Sequence, residues 1–129
     1  MLINARTSVT DMNYHLVFVT KYHKQMFTTT ELKDKLKTIL QSIADYKDVT
    51  IQSMDVMPDH IHLLITFPPK FAASDVVKSF KGSSAREWFK AFPNDRNKLW
   101  KGHLLSNTFY MSTIGNVSKD VIEQYIKNQ

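Results

Sequence analysis

Strict alternation marks the first regular stretch of the chain. Over residues 14–20, Tyr14, Leu16 and Phe18 share one side, and His15, Val17 and Val19 share the other. Both sides are largely apolar, which predicts a central β-strand. Residues 1–11 read as an irregular lead-in. A helical period then takes over. Leu32, Leu36, Ile39, Leu40 and Ile43 recur on one stripe, after Thr28 and Glu31 at capping-box spacing. This helix is expected to stop near residues 46–48. Residues 49–57 form the next strand. Ile61, Leu63, Ile65 and Phe67 alternate through the one after it, which Pro68-Pro69 ends. Between these two runs, Pro58-Asp59 reads as a tight antiparallel connection. A second helix is predicted over 72–91, with Ser74 as its cap and Val76, Val77, Phe80, Trp88 and Phe89 on its buried side. Gly82-Ser83-Ser84 in its middle predicts a kink, or close approach of another backbone or a ligand. Residues 93–98 read as a polar loop and 104–114 as a strand closed by Gly115-Asn116. Ser118 caps a last helix, with Asp120 in its first turn.

The order strand, helix, strand, strand, helix, strand, with an appended helix, predicts an α+β fold. It is the split βαβ pattern of ferredoxin-like and RRM-like sheets. The whole chain, 1–129, is expected to be one domain, with a core over 12–115 and a C-terminal helix over 117–129. In this arrangement both main helices cover one sheet face, and Ile61, Leu63, Ile65 and Phe67 are the natural residues to meet them. His60, His62, Leu64 and Thr66 then point to the other face, which is left uncovered.

Composition narrows the partners. Seventeen Lys and Arg against twelve Asp and Glu give a net charge of +5, which favours polyanions. Aromatic content of 12% on a basic chain adds to this, because aromatic rings stack on bases. Lys21-Tyr22 at the exit of the first strand, and Lys78, Lys81 and Arg86 on the second helix, are the candidate nucleic-acid contacts; a solvated loop and a solvated helix face are the plain alternatives. There is no cysteine, so thiolate metal sites are excluded and an intracellular setting is expected. No apolar run approaches the ~20 residues that cross a bilayer, and the expected location is the cytoplasm.

Two imidazoles two residues apart on one strand face, His60 and His62, can chelate one ion if a third group joins them. Imidazole suits zinc, copper, iron or nickel, and mixed nitrogen and oxygen sites also take manganese or magnesium. The alternative is a pair of half-buried strand histidines bonded to their neighbours. In the last helix Val121, Tyr125 and Gln129 are four residues apart and share a face. The Gln129 amide oxygen could complete an ion's shell, which would hold the Tyr125 phenol beside whatever the ion polarises.

Five blocks in order carry a family resemblance. They are Tyr14-His15-Leu16-Val17-Phe18 leading to Lys21-Tyr22; Met57-Pro58-Asp59-His60-Ile61-His62; Val77-Lys78-Ser79-Phe80-Lys81-Gly82; Ser112-Thr113-Ile114-Gly115; and Tyr125-Ile126-Lys127-Asn128-Gln129. Through them the chain resembles the HUH-type single-strand DNA transposases of the insertion-sequence 200/605 group over nearly its whole length. The resemblance implies that His60 and His62 bind a metal with Gln129 as third ligand, and that Tyr125 is the nucleophile carried by the C-terminal helix. It further implies cleavage and rejoining of single-stranded DNA at element ends through a 5′-phosphotyrosine, with Mg²⁺ or Mn²⁺ as cofactor. The implied partners are hairpins near those ends, in a homodimer whose active sites are shared between subunits, with nucleoid association during activity.

Other readings make different demands. A non-catalytic RRM-like binder would display stacking aromatics in the pattern Lys/Arg-Gly-Phe/Tyr-Gly/Ala-Phe, and no such run occurs. A metal-dependent hydrolase using His60, His62 and Asp59 leaves Tyr125 and Gln129 without roles. A domesticated relative that nicks DNA for its host would carry the same residues.

Overall fold

The computed structural model describes residues 12–98, 103–113 and 119–128. The regular elements are β1 (Met12–Thr20), α1 (Thr30–Lys47), β2 (Thr50–Val56), β3 (His60–Phe67), α2 (Ala73–Ala91), β4 (Leu105–Thr113) and α3 (Lys119–Lys127). The strands form one antiparallel sheet in the order β2-β3-β1-β4. This is the expected split βαβ topology, with β1 and β3 central. The lead-in, Ile114 to Ser118 and Gln129, on which several expectations fell, lie outside the described residues.

The alternation in β3 resolves as predicted. Ile61, Leu63, Ile65 and Phe67 are buried, while His60, His62, Leu64 and Thr66 are only partly so. The buried set joins Leu16 and Phe18 of β1 to Leu36, Leu40 and Ile43 of α1 and Val77, Phe80 and Trp88 of α2 in a single core. Trp88 is fully enclosed, meets Phe27 edge-on at 5.1 Å, and donates its indole N–H to Asp95 at 2.9 Å. That bond satisfies a polar atom that would otherwise be costly to bury.

Four local expectations are corrected. The cap of α1 is Thr29, not Thr28: its hydroxyl accepts the Leu32 N–H at 3.1 Å. Ser74 does not cap α2. The N-cap is Ala72, whose carbonyl takes the Asp75 and Val76 N–H groups, so Ser74 already lies within the first turn. Gly82 neither kinks α2 nor makes room for a backbone. The helix runs unbroken through it, and a Cβ there would meet nothing within 4 Å. The stretch Pro93–Lys98, expected as a polar loop, is wound into a 3₁₀ turn. Among the described residues, no helix is long and apolar enough to cross a membrane.

Candidate active site

The Pro58-Asp59 connection sets the geometry of the first histidine. Met57 N–H donates to the His60 carbonyl at 2.8 Å, closing the turn. The turn is tied to the exit of β1, since Thr20 N–H donates to the Asp59 carbonyl and Met26 and Phe27 N–H both donate to that of Pro58. With its backbone so fixed, the Asp59 carboxylate turns back onto His60 and accepts its Nδ1–H at 2.9 Å. A carboxylate only accepts, so a proton sits on Nδ1, and in the neutral ring Nε2 is the nitrogen that keeps its lone pair. This is the orienting role that acidic partners take behind metal-binding imidazoles. Asp59 therefore acts on His60 from behind, which leaves the hydrolase reading without its third ligand. The second Asp59 oxygen lies 3.6 Å from His23 Nδ1.

His62 has a different neighbour. His15 in β1 brings its Nδ1 to 3.1 Å from His62 Nε2. The ring centroids are 5.3 Å apart and the planes differ by 29°, so the nitrogens face each other along the line between the rings. That is an N–H···N bond with one proton between two lone pairs. An ion drawing on His62 must therefore use its other nitrogen or displace His15. Asp55 stands opposite His62 across the β2–β3 ladder. The His62 pKa is held below its ordinary value by burial first and by the neighbouring His15, against the pull of Asp55, with His60 adding to the depression. A neutral imidazole is the form that can bind a metal.

The donor set fits a divalent cation in part. His60 is oriented and His62 is kept neutral, but among the described residues no cluster of three His, Asp or Glu side chains is arranged to hold an ion alone. A further donor has to arrive from elsewhere. The expected one, Gln129, lies outside the described residues.

Tyr125 lies on the same sheet face. Cross-strand pairing aligns Tyr110 with Val17 and Val17 with His62, so their side chains share a face. The Tyr125 ring packs on Tyr110 at a centroid distance of 5.8 Å, and its hydroxyl lies 3.4 Å from that of Thr108. This face is thus partly covered by α3 rather than bare, and Val17 and Val19 on it are fully buried. The tyrosine rests over β4, two strands from the histidines, a lateral offset of about 10 Å at ordinary strand spacing. Burial raises its phenol pKa, and the contact with Thr108 opposes that rise.

The five basic and aromatic candidates divide. Lys21, Tyr22 and Lys81 lie together. The Lys21 ammonium sits 5.4 Å from the Tyr22 ring centroid, and Lys81 donates to the Asn107 carbonyl at 2.9 Å. The Lys81 pKa is lowered by burial and by repulsion from Lys21. Lys78 is exposed on α2, and Arg86 borders a groove of about 410 Å³ between α1 and α2 with Lys35, Tyr46 and Lys47. That groove belongs to the helical layer, on the far side of the sheet from the histidines.

Sequence reasoning missed His15 as a member of the site, together with His23, Asp55, Thr108 and Tyr110. For His15 the only signal was its position in the same alternation as Val17 and Val19.

The family model described as "Transposase IS200 like" matches residues 8–129. The ISDra2 transposase TnpA of Deinococcus radiodurans is 39% identical over 124 residues, which cover 96% of this chain and 88% of that protein. The transposase for insertion sequence element IS200 of Salmonella typhimurium is 32% identical over 117 residues, covering 90% and 75%. Among solved structures, a putative transposase from Deinococcus radiodurans R1 superposes with a TM-score of 0.85 at 38% identity, covering 92% of this chain and 91% of that one. A REP-associated tyrosine transposase bound to a REP hairpin gives a TM-score of 0.59 at 15% identity, covering 89% and 62%, a likeness of fold.

Proposed function

The chain belongs to the IS200-like transposase family, and from that membership we propose that it cleaves and rejoins single-stranded DNA at element ends through a covalent bond to Tyr125. The observation that carries this reading is that one sheet face holds both the His60 and His62 imidazoles and the Tyr125 phenol.

A phosphodiester resists attack because its anionic oxygens repel nucleophiles and its leaving alkoxide is unstable. A divalent cation, Mg²⁺ or Mn²⁺, held by His60, His62 and Gln129 would neutralise that charge and orient the phosphate. The Tyr125 oxygen attacks phosphorus as its proton leaves. The P–O3′ bond breaks, and the departing oxygen takes up a proton to become a 3′-hydroxyl. The product is a 5′-phosphotyrosine, which conserves the ester, so a 3′-hydroxyl can reverse the step and join strands without ATP. In its resting place Tyr125 is poorly suited to ionise, because burial raises its pKa. Reaching the phosphate therefore requires α3 to leave β4, or the tyrosine of a second subunit to approach. A homodimer with shared sites fits the offset between Tyr125 and the histidines. A hairpin near the cleaved end is the proposed recognition element, supported by the shared fold with a relative that binds one.

The test mixes the protein with a labelled single strand carrying its element's end hairpin, with Mn²⁺ present. A detergent-stable adduct is expected, absent in Tyr125→Phe and under chelation. An adduct that persists in Tyr125→Phe would show that another residue is the nucleophile.

A further inference from the structure

The corner that follows β1 is built in an uncommon way. Tyr22 and His23 both adopt left-handed backbone angles, with φ of 59° and 54°, a region that side-chain-bearing residues seldom occupy. Strain of this kind persists only where surrounding bonds enforce it, and it gathers at functional sites. Here they run through the backbone, the Thr20 hydroxyl and the His23 ring, which lies 3.6 Å from an Asp59 carboxylate oxygen. Lys21 N–H donates to the Leu104 carbonyl, Lys24 N–H to that of Lys21, and the Thr20 hydroxyl to that of Lys24. None of them uses the Tyr22 ring, which stands 55% exposed. The corner therefore holds a large aromatic side chain out into solvent, where burial returns little for the strain.

Its surroundings suit one kind of occupant. Lys21 lies against the ring, Lys24 is exposed next to the corner, and Lys81 is close enough to Lys21 for their charges to repel. A flat π-face among ammonium groups matches a nucleobase flanked by phosphates. The position also matters: Asp59 contacts His23 with one oxygen and His60 with the other. The corner is thus one side chain away from the imidazole proposed to hold the cation.

We propose that the Lys21–His23 corner is a stacking platform on which Tyr22 holds an unpaired base of the strand cleaved at His60 and His62, while Lys21 and Lys24 meet the flanking phosphates. This rests on the single-strand cleavage reading above and adds where, and by which contact, that strand is gripped.

The test measures binding of the full-length protein to a single-stranded oligonucleotide containing 2-aminopurine, whose fluorescence falls on stacking, and to a matched duplex. Tyr22→Ala should weaken single-strand binding roughly fivefold or more and relieve the quenching. Tyr22→Phe should preserve both, and duplex affinity should stay the same in each variant. Tyr22→Gly should lose single-strand affinity while melting no lower than the parent, because glycine accepts the left-handed backbone without steric cost. Unchanged single-strand affinity in Tyr22→Ala overturns the platform, and so does an equal loss on duplex. A fall in melting temperature for Tyr22→Gly overturns it too, by making Tyr22 structural. If Tyr22→Ala instead shifts the sedimentation of the DNA-free protein and leaves DNA affinity intact, the ring belongs to a contact between copies and the platform is overturned. Normal DNA binding by Tyr22→Ala, with the Tyr125 adduct still formed, sinks the platform alone. A parent protein that neither binds single strands nor forms the adduct sinks the cleavage reading with it.

Discussion

An imidazole has two nitrogens, and what one of them holds decides what the other can offer. His60 gives its Nδ1–H to Asp59, so Asp59→Asn should weaken Mn²⁺ binding roughly 10–100-fold, read by electron paramagnetic resonance titration. Undiminished affinity would mean that the bond does not orient the ring for metal. His62 differs in being disfavoured as a cation, through burial and then His15, with Asp55 opposing and His60 reinforcing. Its folded pKa lies below the ordinary 6.5. Across the window between the two, the unfolded chain binds the proton more readily, so stability rises with pH there and falls as acid is added. Metal-free protein should therefore melt at lower temperature as pH drops below 6.5, and His62→Gln should flatten that slope. An unaltered slope in the variant would assign it to other groups.

At the level of elements, α1 and α2 each offer a quantity that the sequence alone misjudged. Gly82 sits inside α2 with open space where a Cβ would go. Gly82→Ala should stabilise the protein by about 0.5–1 kcal/mol in denaturant unfolding, and a loss would reveal a contact partner for this glycine. Thr29→Ala should cost about 1 kcal/mol, and Thr28→Ala much less. The strands, the helices and the buried stripes were legible because alternation and helical period survive any tertiary context. The caps were less so. Thr28, Thr29 and Thr30 are chemically equal choices, and the one that caps is set by where Met26 and Phe27 are tied to the Pro58 carbonyl. His60 and His62 were legible as a same-face pair because they share a strand. The bond from His15 to His62 was not, since it depends on the register between β1 and β3, forty-seven residues apart along the chain.

For the whole molecule the central fact is a division of labour between the two sides of the sheet. The helices α1 and α2 bury one side as core, while the other brings together histidines from β1 and β3 and a tyrosine from α3. Tyr125 rests over β4 rather than over the histidines, which frames the question of subunits. Mixing Tyr125→Phe chains with His60→Ala chains should restore part of the cleavage if each site draws on two chains. Inactive mixtures, with mixed dimers verified by sedimentation, would assign the complete site to one chain. The most direct measurement is the location of the covalent link itself. After reaction with single-stranded DNA and Mn²⁺, nuclease and trypsin digestion should leave a 5′-phosphonucleotide on the peptide spanning residues 120–127, which contains Tyr125 as its only tyrosine. The same modification on a peptide carrying Tyr22 or Tyr110 instead would contradict the assignment of α3 as the element that attacks DNA.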